Sequence, residues 1–186
     1  MRYRHALCLY PYLRDQEPGI NLWPPTGLEY IATALQGHVE KISLVDLRHE
    51  RNFHSPARMA DFIRSSVDLV CISIYWKARY NKVCDYIHQL PSDRPIIVGG
   101  REATDNVEDI FERCPNVSAV VRGEGEQTIQ EIADGKPWAK ILGLSYRDGD
   151  GIIHNANRPL QPIEEIKVPD RALRRSQYYP SMRGVR

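Results

Sequence analysis

Short apolar runs and longer amphipathic stretches take turns along most of the chain. Residues 6–10 (ALCLY), 42–45 (ISLV), 69–74 (LVCISI), 96–98 (IIV) and 118–121 (SAVV) are rich in apolar and β-branched side chains, and Pro, Gly, Asp or charge bounds each run. They predict five strands. Strands so continuously apolar suit a parallel sheet covered on both faces. Between them, residues 27–36, 55–65, 81–90, 105–113 and 127–133 predict helices. In the first, Leu28, Ile31, Ala32 and Leu35 recur at i, i+3, i+4 and i+7 on one face, and Gly37 is placed to stop it. In the fourth, Thr104 or Asp105 is placed to cap a helix that turns Val107, Ile110 and Phe111 toward the sheet. The alternation predicts an α/β fold, a Rossmann-like (flavodoxin-like) doubly wound sheet of five parallel strands with right-handed crossovers.

The pattern then changes. Residues 141–147 and 151–155 flank Asp148-Gly149-Asp150, the turn chemistry of an antiparallel hairpin, which predicts a C-terminal β-hairpin extension. From Arg158 onward Pro159, Pro162, Pro169 and Pro180 stand among charges, which predicts an extended connector. The expected division is a Rossmann-like domain over 1–136, the hairpin extension over 137–160 and the connector over 161–186.

Composition narrows the partners. The 186 residues are 42% hydrophobic and carry Lys+Arg 25 against Asp+Glu 24, so the chain is folded and has no global field to recruit nucleic acid or an anionic membrane. No apolar run approaches the roughly 20 residues of a membrane span, and the start lacks the apolar core of a secretory signal. The expected location is the cytoplasm. Cys8, Cys71, Cys84 and Cys114 show no CxxC or Cys/His spacing that would gather metal ligands. Cys8 and Cys71 sit inside apolar runs and read as reduced, buried small hydrophobes.

In a doubly wound sheet, ligands bind beyond the carboxyl ends of the strands. After the first strand runs a long loop through Arg14, Pro18-Gly19 and Trp23-Pro24-Pro25, longer than a connection needs to be. The second strand is followed by Asp46, Leu47, Arg48 and His49. The third ends in Ser73, Tyr75, Trp76 and Lys77, whose aromatics suit the wall of a flat ligand or a packed partner. The fourth ends in Gly99, Gly100, Arg101 and Glu102, where two glycines allow a sharp turn and a close approach. The fifth opens Gly123, Glu124, Gly125 and Glu126. That segment lacks the third glycine of a dinucleotide fingerprint, and its carboxylates suit hydroxyls and amides better than phosphates. No GxxxxGK[ST] appears, no acidic residue closes the third strand, and no nucleophile and base share a recognisable spacing. By its residues the chain is a binder without a catalytic set.

Taken in order, PTGLEYIA (25–32), DLVCIS (68–73), PIIVGGREAT (95–104), VVRGEGE (120–126), GLSYR (143–147) and PDR (169–171) resemble one family. It is the amino-terminal cobalamin (B12)-binding domain of B12-dependent radical S-adenosylmethionine enzymes, of methyltransferase or cyclase type. The resemblance implies that the corrin lies over the strand ends and the nucleotide tail tucks into the sheet. Asp46, Leu47 and Arg48 would lie beneath the corrin, and Ser73, Tyr75, Trp76 and Lys77 would form the third loop. Gly99, Gly100, Arg101 and Glu102 would follow the tail, framed on its far side by Gly123, Glu124, Gly125 and Glu126. It also implies a barrel beyond Arg186 that holds a 4Fe-4S cluster and S-adenosylmethionine at a CxxxCxxC motif. This chain has no such motif, so it is expected to bind cobalamin without catalysing by itself. Cobalamin proteins that ligate cobalt through histidine carry DxHxxG, whereas here Arg48 stands at the histidine position and His49 comes one place late. The implied state is base-off cobalamin without a histidine ligand. The alternative is a cofactor-free Rossmann-like interaction or scaffold domain that docks through Tyr75, Trp76 and the proline-rich tail.

Overall fold

The computed structural model describes residues 2–13, 23–176 and 178, so Arg14, Pro18-Gly19 and residues 179–186 lie outside it. One seven-stranded sheet carries the chain. Its order is β2 (Lys41–Asp46), β1 (His5–Tyr10), β3 (Leu69–Ser73), β4 (Ile96–Gly99), β5 (Ala119–Val121), β6 (Leu144–Asp148) and β7 (Gly151–His154). The first five are parallel, as the apolar runs predict, and all six residues of β1 are buried. The hairpin continues the sheet, with β6 antiparallel to both β5 and β7. Gly149 (φ +56) occupies its turn, where a left-handed backbone lets the chain reverse.

Helices α1 (Thr26–Ala34) and α6 (Glu126–Ala133) pack against each other. Right-handed crossovers send α2 (Pro56–Ser66) and α3 (Tyr80–His88) to the opposite face, because the strand order reverses direction at β1. A short helix that the sequence pattern does not predict, α4 (Arg101–Asp105), begins directly after Gly100, and the helix predicted over 105–113 follows as α5 (Val107–Arg113), so the helical path runs from Arg101 to Arg113. Asn106 breaks it. Its Nδ2 donates to the Glu102 carbonyl at 2.8 Å, and this local bond competes with continuation of the helix.

At the other end of the sheet His5, buried, spans 2.6 Å from Nδ1 to the Ser66 carbonyl and 2.9 Å from Nε2 to Ser43 Oγ. A carbonyl only accepts, so Nδ1 carries the proton and Nε2 accepts from Ser43. Burial draws this imidazole below its ordinary value of 6.5. The unfolded chain therefore binds more protons between the two values. The His5 contribution to stability is complete above pH 6.5 and is lost as pH falls from there through the folded value. Thermal melts are expected to show this decline, with a shallower slope in His5→Asn.

The segment after Arg158 is extended, with single turns of 3-10 helix at Ile163–Glu165 and Arg171–Leu173, and it is strapped to the body. Arg158 reaches Thr128 Oγ1 at 2.9 Å and pairs with Glu131. Farther on, the Asp170 N–H donates to Thr33 Oγ1 at 2.8 Å, and Arg174 clamps the buried Glu29 carboxylate at 2.5 and 2.7 Å. Arg175 pairs with Glu50 at 3.2 Å, and the Tyr178 hydroxyl donates to Asp46 at 2.5 Å. The strap thus crosses α6 and α1 and returns to the carboxyl end of β2.

Candidate functional site

Backbone economy at two glycines opens a slot at the carboxyl edge of the sheet. Gly100 has φ +101, and a Cβ there would lie 2.6 Å from the Ile74 carbonyl oxygen, so only glycine lets α4 start flush against the strand end. At Gly125 a Cβ would lie 2.9 Å from Ile31 Cδ1 and 3.3 Å from Val121 Cγ1. Leaving it bare keeps the gap between α1 and β5 clear. The result is a cavity of about 640 Å³ bounded by the ends of β3, β4 and β5 and by α1, α4 and α6. Its inner wall is apolar, with Leu28, Ile31, Ile72, Ile97, Val121 and Ile129. Its mouth is polar, with Ser73, Arg101, Thr104, Asp105, Glu124 and Glu126.

Thr104 ties the two glycine loops together. Its hydroxyl donates to the Gly100 carbonyl at 3.2 Å and accepts the Gly123 N–H at 3.1 Å. Beside the mouth, at the β1/β3 junction where the strand order reverses, stands an aromatic rim. The Tyr12 hydroxyl accepts the backbone N–H groups of Tyr75 at 2.8 Å and Trp76 at 2.9 Å, and the Trp76 indole donates to Tyr10 at 2.8 Å. Burial pushes the Tyr12 phenol up to about 12, so it stays protonated.

Of the residues expected at the site, Ser73, Tyr75, Gly99, Gly100, Arg101, Gly123, Glu124, Gly125 and Glu126 line this cavity together. Glu102 lies on α4 outside the lining, Trp76 belongs to the aromatic rim, and Lys77 opens the turn Lys77–Arg79. Asp46, Leu47 and Arg48 are elsewhere. Leu47 is fully buried, and the Asp46 and Arg48 side chains, 2% and 1% exposed, form a closed pair at 2.6 Å. The Arg48 guanidinium carbon sits 4.5 Å from the centre of the Tyr10 ring and 5.6 Å from that of Tyr178. The His49 ring meets Tyr178 edge-on at 4.9 Å. The residues that sequence reasoning missed are mostly apolar wall positions, which read as ordinary core. Thr104 stood inside the matching segment PIIVGGREAT.

The slot suits a ligand with a flat apolar ring at its inner end and hydroxyl or amide groups at its mouth. At the carboxyl ends of a parallel sheet of order 2-1-3-4-5, this defines an α/β cofactor-binding domain. The B12 binding domain family matches residues 21–133, and the chain belongs to that family. The cofactor it implies is cobalamin, and the cavity fits it: the apolar depth accepts a benzimidazole ring and the polar mouth accepts ribose and amide groups.

A methyltransferase of Pyrococcus horikoshii, itself uncharacterized, is 30% identical over 153 residues, which cover 78% of this chain and 33% of that protein. The anaerobic magnesium-protoporphyrin IX monomethyl ester cyclase of Cereibacter sphaeroides is 24% identical over 77% of this chain and 25% of its own length. The radical S-adenosylmethionine methyltransferase TsrM from Kitasatospora setae, solved with cobalamin and a 4Fe-4S cluster, shares the fold with a TM-score of 0.65 at 19% identity. That match covers 82% of this chain and 31% of TsrM. The chain therefore spans a third or less of these relatives. Among the described residues no helix is long and apolar enough to cross a membrane, and no group of His, Cys, Asp or Glu is arranged to hold a metal ion.

Proposed function

We propose that this domain holds cobalamin base-off, with the displaced benzimidazole in the slot between α1 and β5 and with no histidine on cobalt. The observation that carries this reading is the fate of the DxHxxG position. Arg48 replaces the histidine and is sealed against Asp46 beneath Tyr10 and Tyr178, and among the described residues the cavity wall holds no histidine. Bound here, cobalamin supplies methyl-transfer chemistry. This chain's own residues bind and orient. Gly100 and Gly125 leave room for the tail, Ser73 and Thr104 offer hydroxyls, Glu124 and Glu126 accept hydrogen bonds from ribose or amides, and Tyr75 and Trp76 shield the rim from water. The partner in this reading is a radical S-adenosylmethionine barrel with its 4Fe-4S cluster, and methyl transfer is favoured over cyclisation because a methyltransferase is the relative with 30% identity.

The test is titration of the purified chain with hydroxocobalamin, read by visible absorption and equilibrium dialysis. Saturation near one equivalent with a base-off spectrum that His49→Ala leaves unchanged is expected. A base-on spectrum, or one that His49→Ala abolishes, would overturn the histidine-free reading. No binding in any oxidation state would favour the scaffold alternative.

A further inference from the structure

The inner end of the slot is built for a narrower class of ligand than its mouth. Ile31 Cδ1 and Val121 Cγ1 both border the bare Cα of Gly125, and Leu28, Ile72, Ile97 and Ile129 complete the wall. Among the described residues, the one side-chain heteroatom that the lining carries deeper in β3 than Ser73 is the Cys71 sulfur, a weak donor and a weak acceptor. The backbone there is already engaged. The Gly99 carbonyl accepts the Ile74 N–H at 2.8 Å and the Gly125 carbonyl accepts the Ile129 N–H at 2.8 Å. Cys71, Ile97 and Val121 stand in the strand ladders opposite Ile97, Ala119 and Leu144. Hydroxyls and carboxylates are confined to the mouth, at Ser73, Thr104, Glu124 and Glu126.

We propose that the slot selects among cobamides by the polarity of the lower base, taking a benzimidazole or a phenol-derived ring and rejecting a purine. Ile31, Ile97 and Val121 are the specificity-determining residues. The inference rests on the displaced base occupying this slot, the reading given under the proposed function.

Dimethylbenzimidazole and adenine are both flat bicyclic rings of similar size, so shape separates them poorly. They differ in the six-membered ring, which is all carbon in the benzimidazole and carries two accepting nitrogens and a donating amino group in adenine. Against this wall those three groups lose water and gain no strong partner. The one free nitrogen of the benzimidazole lies in the five-membered ring, close to the sugar and so to the hydroxyls of the mouth. Displacement from cobalt works in the opposite sense, because the benzimidazole is the more basic ligand and the harder to pull away. It cannot produce the expected preference.

The test is equilibrium dialysis of the purified chain with three probes: hydroxocobalamin, the cobamide bearing adenine and the cobamide bearing para-cresol, whose ring cannot coordinate cobalt. The dissociation constant of the adenine form is expected to exceed that of hydroxocobalamin by at least about tenfold, which corresponds to about 1.4 kcal/mol. The para-cresol form is expected to bind at least as tightly as hydroxocobalamin. Ile31→Gln places a side-chain amide, donor and acceptor together, where the amino group and adjacent nitrogen of adenine can pair with it. Ile31 is half-buried on α1 and glutamine is a good helix former, so the helix should persist. In this variant the ratio of the two constants is expected to fall below about threefold, and a ratio taken on one protein cancels any loss of stability. Equal binding of the adenine and benzimidazole forms to the wild type would overturn base selection and leave the cobalamin reading standing. Failure of all three probes to bind would overturn both. A ratio that Ile31→Gln leaves unchanged would overturn the assignment to this wall, and the wild-type ratio decides base selection even where the variant fails to fold.

Discussion

Arg48→Met is expected to destabilise the chain by about 3–5 kcal/mol, the penalty typical of leaving one member of a buried ion pair without its partner. Arg48 Nε reaches both Asp46 oxygens, at 2.9 and 3.1 Å, and Nη2 reaches Oδ2 at 2.6 Å. Asp46 has no solvent to fall back on, and only the backbone N–H of residue 48, at 2.9 Å, and the Tyr178 hydroxyl would still face its charge. A hydrophobic replacement therefore strands a carboxylate in a dry site. The double variant Asp46→Leu/Arg48→Met removes both charges and is expected to recover most of the loss, because mutual attraction scarcely exceeds the desolvation of the two ions. Arg64 provides the control. It lies 3.8 Å from Asp61 with side chains 55% and 82% exposed, and Arg64→Met is expected to change stability by less than about 1 kcal/mol. Urea denaturation compares the four proteins. Equal midpoints for Arg48→Met and Arg64→Met would show that the buried pair contributes no more than a surface pair.

The same cluster marks the limit of what the sequence discloses. The five parallel strands were legible because a strand buried on both faces must be apolar throughout, and LVCISI or ALCLY has no other economical fate in water. The glycine loops were legible because Gly99, Gly100, Gly123 and Gly125 sit directly at strand ends, where only backbone freedom or a close approach accounts for paired glycines. Long-range charge pairing was not legible. Glu29 lies 145 residues from Arg174, and Asp46 lies 132 from Tyr178. No periodicity links such positions, so the connector after Arg158 read as proline-rich and charged, with nothing to indicate a strap. Glu29 itself stands beside Leu28 on an amphipathic helix and is buried only because Arg174 arrives from the other end of the chain. The break at Asn106 escaped for a local reason, since one side-chain amide bonding to the Glu102 carbonyl leaves no mark on hydrophobic patterning. The wall of the slot escaped because Ile31, Ile97 and Ile129 are indistinguishable from core until the space they border is seen to be open.

Gly125→Leu is expected to weaken cobalamin binding by at least about a hundredfold, which corresponds to about 2.7 kcal/mol. The backbone there has φ −102, so a side chain adds no conformational strain. The conflict is spatial. Its Cβ enters the gap between Ile31 Cδ1 and Val121 Cγ1, and the branched end of leucine continues into the slot assigned to the benzimidazole. Ile31 Cδ1 is the free end of a flexible side chain and can rotate away, so the fold should lose only about 1–3 kcal/mol, as overpacked sites generally do. Gly100→Ala fails differently. There the Cβ would meet a backbone carbonyl at 2.6 Å in a left-handed conformation, so fold and binding should fall together. Gly27→Ala completes the comparison, since its Cβ meets nothing within 4 Å although Gly27 also lines the cavity. Its dissociation constant should stay within about threefold of wild type, a difference below 1 kcal/mol. Hydroxocobalamin titration and thermal melts on the same four proteins separate loss of the slot from loss of the fold. A Gly125→Leu protein that melts slightly early yet binds as tightly as wild type would move the displaced base out of this slot.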